Sequence, residues 1–135
     1  QLLAQHLRAT GINLAPFPVA PIPLHRRRER GRGFNQSELI AGELAALLAL
    51  PLASDLLIRA RHTKPQVGIS DHADRERNLA GSFTLAHPPL GKTQRRILLV
   101  DDVLTSGATM GAAVAALREA GAQRVIAAVV AVAGR

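Results

Sequence analysis

The stretch RILLVDDVLTSGATM, residues 96–110, decides the fold. Ile97-Leu98-Leu99-Val100 is an apolar run without alternation, the pattern of a strand buried on both faces. Asp101 and Asp102 stand where that strand is expected to give out. After a short loop, Met110, Ala113, Val114 and Leu117 keep helical spacing until Gly121 stops them. Val125 to Ala133 reads as a second buried strand. Strand, helix and strand within about forty residues make a βαβ unit, which predicts a parallel sheet with a right-handed crossover.

In an open α/β sheet, ligands collect at the carboxyl ends of the strands. Two adjacent carboxylates there repel each other, and each needs water or hydrogen-bond donors. A sugar diol meets that need with two hydroxyls. The next residues suit a phosphate. Thr105, Ser106 and Thr109 carry hydroxyls, and Gly107 lets the backbone turn tightly and approach a ligand. The helix expected from Ala108 aims the positive end of its dipole at this loop. One charge so placed gains only about 0.3–1 kcal/mol, but several charge-assisted N–H bonds to a phosphate add to it. Diol acceptors followed by a phosphate cradle describe a ribose 5-phosphate. The rival reading is an acidic strand end with a Ser/Thr helix cap. It explains Asp-Asp alone but not the whole string. The loop is neither a Walker A sequence nor a GxGxxG fingerprint.

Working outward, Leu2, Leu3 and Leu7 before Gly11 predict the tail of a helix with a glycine cap. Residues 18–23 (PVAPIP) predict a short strand running into a loop. Residues 24–33 are basic and irregular. From Asn35, the spacing of Ile40, Leu44, Leu47 and Leu48 predicts a helix ended before Pro51, with Asn35 as its cap. Leu56 to Ala60 reads as a strand, and residues 62–68 as a loop. Ser70 is a candidate cap for a charged helix through Leu79. Phe83 to Leu85 predicts a small strand, and residues 87–91 a proline turn. At 135 residues, with no internal repeat, a single domain over 1–135 is expected.

Three Phe and no Trp or Tyr force an aliphatic core and leave few platforms for stacking bases. The absence of cysteine excludes disulfides, thiolate zinc sites and cysteine nucleophiles, and suits a cytoplasmic setting. No apolar stretch is long enough to span a bilayer as a helix, and no signal peptide is evident. The chain starts at Gln1, as a fragment or processed product would. The net charge of +7 and the arginines from Arg26 to Arg32 favour an anionic partner, a plain solvated surface being the alternative. His25 beside them is either a surface residue or an acid–base group. The other histidines lack metal-ligand spacing.

Residues 96–110 resemble the phosphoribosyl-pyrophosphate signature of type I phosphoribosyltransferases. The segments PIPLH (21–25), RGRGFNQ (30–36), Thr63 with Gln66, and RERNLAGSF (75–83) follow the order of the ComF family, whose members include competence proteins. The resemblance implies a parallel sheet flanked by helices, with a flexible hood. It implies that Asp101 and Asp102 are the catalytic acids holding the ribose, and that Thr105, Ser106, Gly107, Ala108 and Thr109 wrap the 5-phosphate. Pyrophosphate would meet His25, Arg26, Arg27 and Arg30, and the hood would carry Thr63, Gln66, Arg75 and Asn78. Magnesium would arrive with phosphoribosyl pyrophosphate or a nucleotide-like ligand, held mostly by ligand oxygens and water. The implied reaction is transfer of the phosphoribosyl group to a nitrogen nucleophile. The alternative is a non-catalytic module handling single-stranded DNA or meeting competence proteins, with a homodimer also open. Ser106 stands where the family usually has Thr, which keeps the hydroxyl. ComF proteins commonly begin with a four-cysteine zinc module. This chain holds no cysteine, so that module was removed or never present.

Overall fold

The computed structural model describes residues 2–15, 17–23, 35–59, 83–104 and 107–132. Helix α1 (Leu2–Ala9) leads to strand β1 (Val19–Pro21) and helix α2 (Gln36–Leu48). Strands β2 (Leu57–Arg59) and β3 (Phe83–Leu85) follow, then a 3-10 turn at Lys92–Gln94. Strand β4 (Arg96–Leu104), helix α3 (Ala108–Glu119) and strand β5 (Arg124–Val132) complete the order. Among the described residues no helix is long and apolar enough to cross a membrane.

β1, β4 and β5 form a parallel sheet in that order, with β4 in the middle. β2 and β3 pair antiparallel in a separate ribbon. After α2, the chain returns beside β1 through a parallel bridge between Val19 and Leu52. Ile97, Leu98, Leu99 and Val100 are fully buried, as a strand covered on both faces requires. Alternation sends Ile97 and Leu99 to the face of α3, β2 and β3, where Leu117 and Phe83 pack. Leu98 and Val100 face α1 and α2 with Phe17, Val19 and Leu44. Each such aliphatic side chain contributes about 1.5–3 kcal/mol of burial, so the middle strand is firmly fixed between helical layers.

The helix boundaries follow their caps. Asn35 caps α2, its side chain accepting from the Ser37 N–H at 3.1 Å. Gly121, at φ +111°, lets the chain turn off α3. The expected helix over residues 70–79 lies outside the described residues.

Two expectations change. The strand read as Ile97–Val100 runs on to Leu104, because β5 keeps pairing with it as far as Leu104 opposite Val132. Backbone pairing does not require apolar side chains, so the two aspartates ride on the strand rather than after it. β5 is not a buried strand either. Only Ala128 along it is buried, while Val130 and Val132 are largely exposed. Among the described residues β5 has one strand neighbour, β4, and its last three residues are exposed.

Candidate functional site

β1 stops at Pro21, opposite Val100. That is one residue before Asp101, so no β1 side chain covers the acids. The next rung of a parallel ladder would take the Asp102 N–H to the Ile22 carbonyl. Instead the Asn35 amide donates to Ile22 O at 3.2 Å, and the Asp102 N–H donates to Oδ1 of Asp101 at 2.9 Å. The Val103 N–H donates to Oδ1 of Asp102, also at 2.9 Å.

The first turn of α2 completes the arrangement. The Ser37 hydroxyl donates to the same Asp101 Oδ1 at 2.9 Å, and Ser37 is buried at 3% exposure. Oδ1 of Asp101 is therefore engaged by two protein donors. Among the described residues none reaches Oδ2, which leaves it for a ligand hydroxyl. Burial pushes the Asp101 carboxyl above its ordinary value, the Ser37 hydroxyl and the Asp102 N–H pull it back, and the neighbouring Asp102 carboxyl raises it again. The two carboxyl groups thus act on each other at close range, as acceptors for one diol must.

Past the acids, Gly107 takes φ +83° before α3 begins at Ala108. A Cβ placed there meets no atom within 4 Å. The residue is glycine because of its backbone angle, and the space beside it is open. The Gly111 N–H closes the first helical bond onto Gly107 O at 2.8 Å. Thr109 sits half-buried in that first turn. The backbone N–H groups of a helix's first turn favour an anion here.

Of the expected site residues, the structure brings together Asp101, Asp102, Gly107, Ala108 and Thr109 at the carboxyl end of β4. Thr105 and Ser106, the anion segment with His25, Arg26, Arg27 and Arg30, and the hood residues Thr63, Gln66, Arg75 and Asn78 lie outside the described residues. Two contributors were missed. Ser37 follows directly on the RGRGFNQ segment, and its position in a helical first turn gave no sign of a contact 64 residues away. Arg59 donates from Nε to the Pro23 carbonyl at 3.1 Å and lies over the Phe83 ring at 4.6 Å. It ties the exit of β1 to the β2–β3 ribbon. Among the described residues no group of three His, Asp or Glu side chains could hold a metal ion.

The family described as Phosphoribosyl transferase domain matches residues 35–135. Competence protein F of Haemophilus influenzae is 36% identical over 110 residues, which cover 82% of this chain and 48% of that protein. DNA utilization protein YhgH of Escherichia coli K12 is 39% identical over 103 residues, covering 76% of this chain and 43% of that one. The chain spans about half the length of the curated relatives it matches. A solved structure, the allosteric regulatory enzyme of purine biosynthesis, aligns with a TM-score of 0.56 at 22% identity, over 95% of this chain and 24% of that one. That likeness is one of fold.

Proposed function

The chain belongs to the phosphoribosyl transferase domain family, in its ComF group, and from that premise we propose that it binds phosphoribosyl pyrophosphate, or a related ribose 5-phosphate, together with Mg2+. The carrying observation is the pair of half-buried acids on the exposed end of β4, Asp101 with one oxygen held by Ser37 and Asp102 and the other open. The ribose 2- and 3-hydroxyls would donate to Asp101 and Asp102. The 5-phosphate would lie over the turn at Gly107, against the start of α3.

The donor set suits a magnesium ion that comes with its ligand. Mg2+ keeps several waters and uses one or two carboxylates beside substrate phosphates, and two neighbouring acids are what this chain offers. When bound, the ion supplies charge to the departing pyrophosphate. The protein's own part is to hold the ribose and align C1 for a nitrogen nucleophile. Such a centre becomes positive as the bond to pyrophosphate breaks, so positioning and nearby carboxylate charge do most of the work. A ligand of this kind would suit a cytoplasmic setting.

Calorimetry with phosphoribosyl pyrophosphate and Mg2+ tests binding, and pyrophosphate release with a panel of nitrogen bases tests transfer. Asp101→Asn and Asp102→Asn should each weaken binding while the chain stays folded. Equal affinity in parent and variants refutes the site.

A second reading, the handling of single-stranded DNA, is supported by the names of the relatives, a competence protein and a DNA utilization protein, and by the net charge of +7. Binding to DNA that survives Asp101→Asn and falls steeply with salt is its signature.

A further inference from the structure

The end of the sheet opposite the two acids carries its own concentration of charge. There the 3-10 turn brings Lys92 to the start of β4, where Arg95 and Arg96 follow, and β5 begins with Arg124. These four are exposed, and they are four of the seven Lys and Arg residues among the described residues. They surround two adjoining depressions of 620 and 380 Å3 that share Arg96 and Gln123 as lining. Among the described residues no carboxylate lines either depression, and none of the four cations has an ion-pair partner.

The register makes this arrangement costly without an anion. Arg96 and Arg124 are direct partners on neighbouring parallel strands, at a strand spacing of about 4.8 Å. Like charges placed side by side in a sheet destabilise it, and a phosphate between them reverses the sign. Backbone donors already take several of the last carbonyls of the helices that end on this side. The α2 carbonyls of Ala45 and Ala46 accept from Ala49 N–H, Ala120 O accepts from Leu90 N–H, and Leu117 O accepts from Ala122 N–H.

The chemistry differs from that of a single-phosphate pocket. Such pockets use backbone N–H groups around a glycine turn. Here two of the local backbone donors are already taken: Gln123 N–H and Arg124 N–H both donate to Arg95 O, at 2.7 and 3.1 Å. The prominent groups are long cationic side chains spread over two depressions. Among the described residues the one aromatic in the lining, Phe17, is buried and offers no face for a base. Spread cations without stacking platforms match a phosphodiester backbone held without regard to sequence.

We propose that this amino-end cleft, centred on Arg96 and Arg124, holds the backbone of single-stranded DNA, apart from the ribose-phosphate site. The inference rests on the DNA-handling reading above and gives it a location. Arg96 and Asp101 are five residues apart on β4, or roughly 16 Å along the strand. A polymer in the cleft and a small ligand at the acids therefore bind without competing.

The test is fluorescence anisotropy with a labelled oligothymidylate across a salt series. The parent is compared with Arg96→Gln/Arg124→Gln and with Leu2→Glu/Gln5→Glu, which alters net charge equally at exposed positions of α1, where Leu2 lies beside Val130 at the other end of β5. Each phosphate contact on single strands contributes about −0.7 to the log–log salt slope, so losing two contacts should flatten it by about 1.4. The arginine double variant should lose at least about tenfold in affinity at low salt, while Leu2→Glu/Gln5→Glu stays within about twofold. The melting shift given by phosphoribosyl pyrophosphate should be the same in all three. Lys92→Gln/Arg95→Gln, from the same cleft, repeats the measurement if the first pair fails to fold. Equal losses in the arginine double variant and Leu2→Glu/Gln5→Glu overturn the location. No DNA binding by the parent, alongside a normal melting shift, overturns the cleft and the DNA reading while leaving the sugar-phosphate site standing. Inorganic pyrophosphate separates the sources. An arginine double variant that loses pyrophosphate binding but keeps DNA binding makes the cleft a small-anion site and overturns the proposal.

Discussion

Replacing Ser37 with Ala removes one hydroxyl and asks whether the grip on Asp101 matters to the ligand or only to the fold. The bond is a hydroxyl donating to a carboxylate at 2.9 Å from a buried serine. Hydrogen bonds to charged groups are worth about 1.5–3 kcal/mol. Asp101 is only partly buried and keeps its bond from the Asp102 N–H, so water recovers part of the loss and the lower bound applies. About 1.5 kcal/mol in a chain of this size lowers Tm by about 5 °C. A purely structural serine would do that and nothing more. A positioning serine also moves the titration of Asp101. Burial already raises that carboxyl, and the Ser37 hydroxyl is the first influence pulling it down. Its removal sends the carboxyl higher again. Ligand binding needs the ionised acid, so affinity falls as pH drops through this raised value. In Ser37→Ala that acid limb should move to higher pH. Phosphoribosyl pyrophosphate affinity measured by calorimetry from about pH 4 to pH 8 covers the window around the ordinary Asp range. Ser37→Thr keeps a hydroxyl and should restore the parent's limb. An unmoved limb in Ser37→Ala, with only the Tm lowered, refutes the positioning role.

Asp101→Asn should be at least as thermostable as the parent at neutral pH. The folded chain raises this acid, so ionising it costs stability as pH rises through the unfolded and then the folded value, and the variant's advantage should vanish on acidification. A Tm profile against pH reads this, and a stability loss at neutral pH counts against it. Gly107→Val forces a branched side chain to φ +83°, costing about 1–2 kcal/mol, and its Cβ projects into open space. The chain should still fold, while the melting shift given by phosphoribosyl pyrophosphate disappears. An undiminished shift places the phosphate elsewhere. Asn35→Ala removes the cap of α2 and the donor to Ile22 O. Urea unfolding should register a loss of about 1–2 kcal/mol, and a smaller loss means water replaces the amide.

The sequence made the middle of this molecule legible because burial there is two-sided. A run of four aliphatic residues followed by a helical period admits little besides a parallel βαβ unit, and β4, α3 and β5 have that form. The caps were legible too, since Asn35 and Gly121 do local jobs. What composition could not reveal was the end of a strand. Asp101 and Asp102 look like a stop, yet pairing with β5 carries the ladder past them. Nor does apolar content separate a central strand from one with a bare end, so β5 read as buried when Val130 and Val132 are not. Ser37 was invisible for another reason. Its partner is distant in the chain, and a serine near a helix start already has an ordinary explanation.

The site depends on where β1 ends. Had β1 continued one more rung, the Ile22 carbonyl would take the Asp102 N–H, and Oδ1 of Asp101 would lose that donor. Asn35 prevents this by occupying Ile22 O with its amide, while its own oxygen starts α2. Starting α2 there delivers Ser37 to Asp101. One asparagine thus shortens the β1 ladder, begins the helix and sets the second donor on the acid. The fold-level feature, a sheet that ends unevenly, and the chemical feature, a carboxylate with one oxygen held and one open, therefore have the same physical cause.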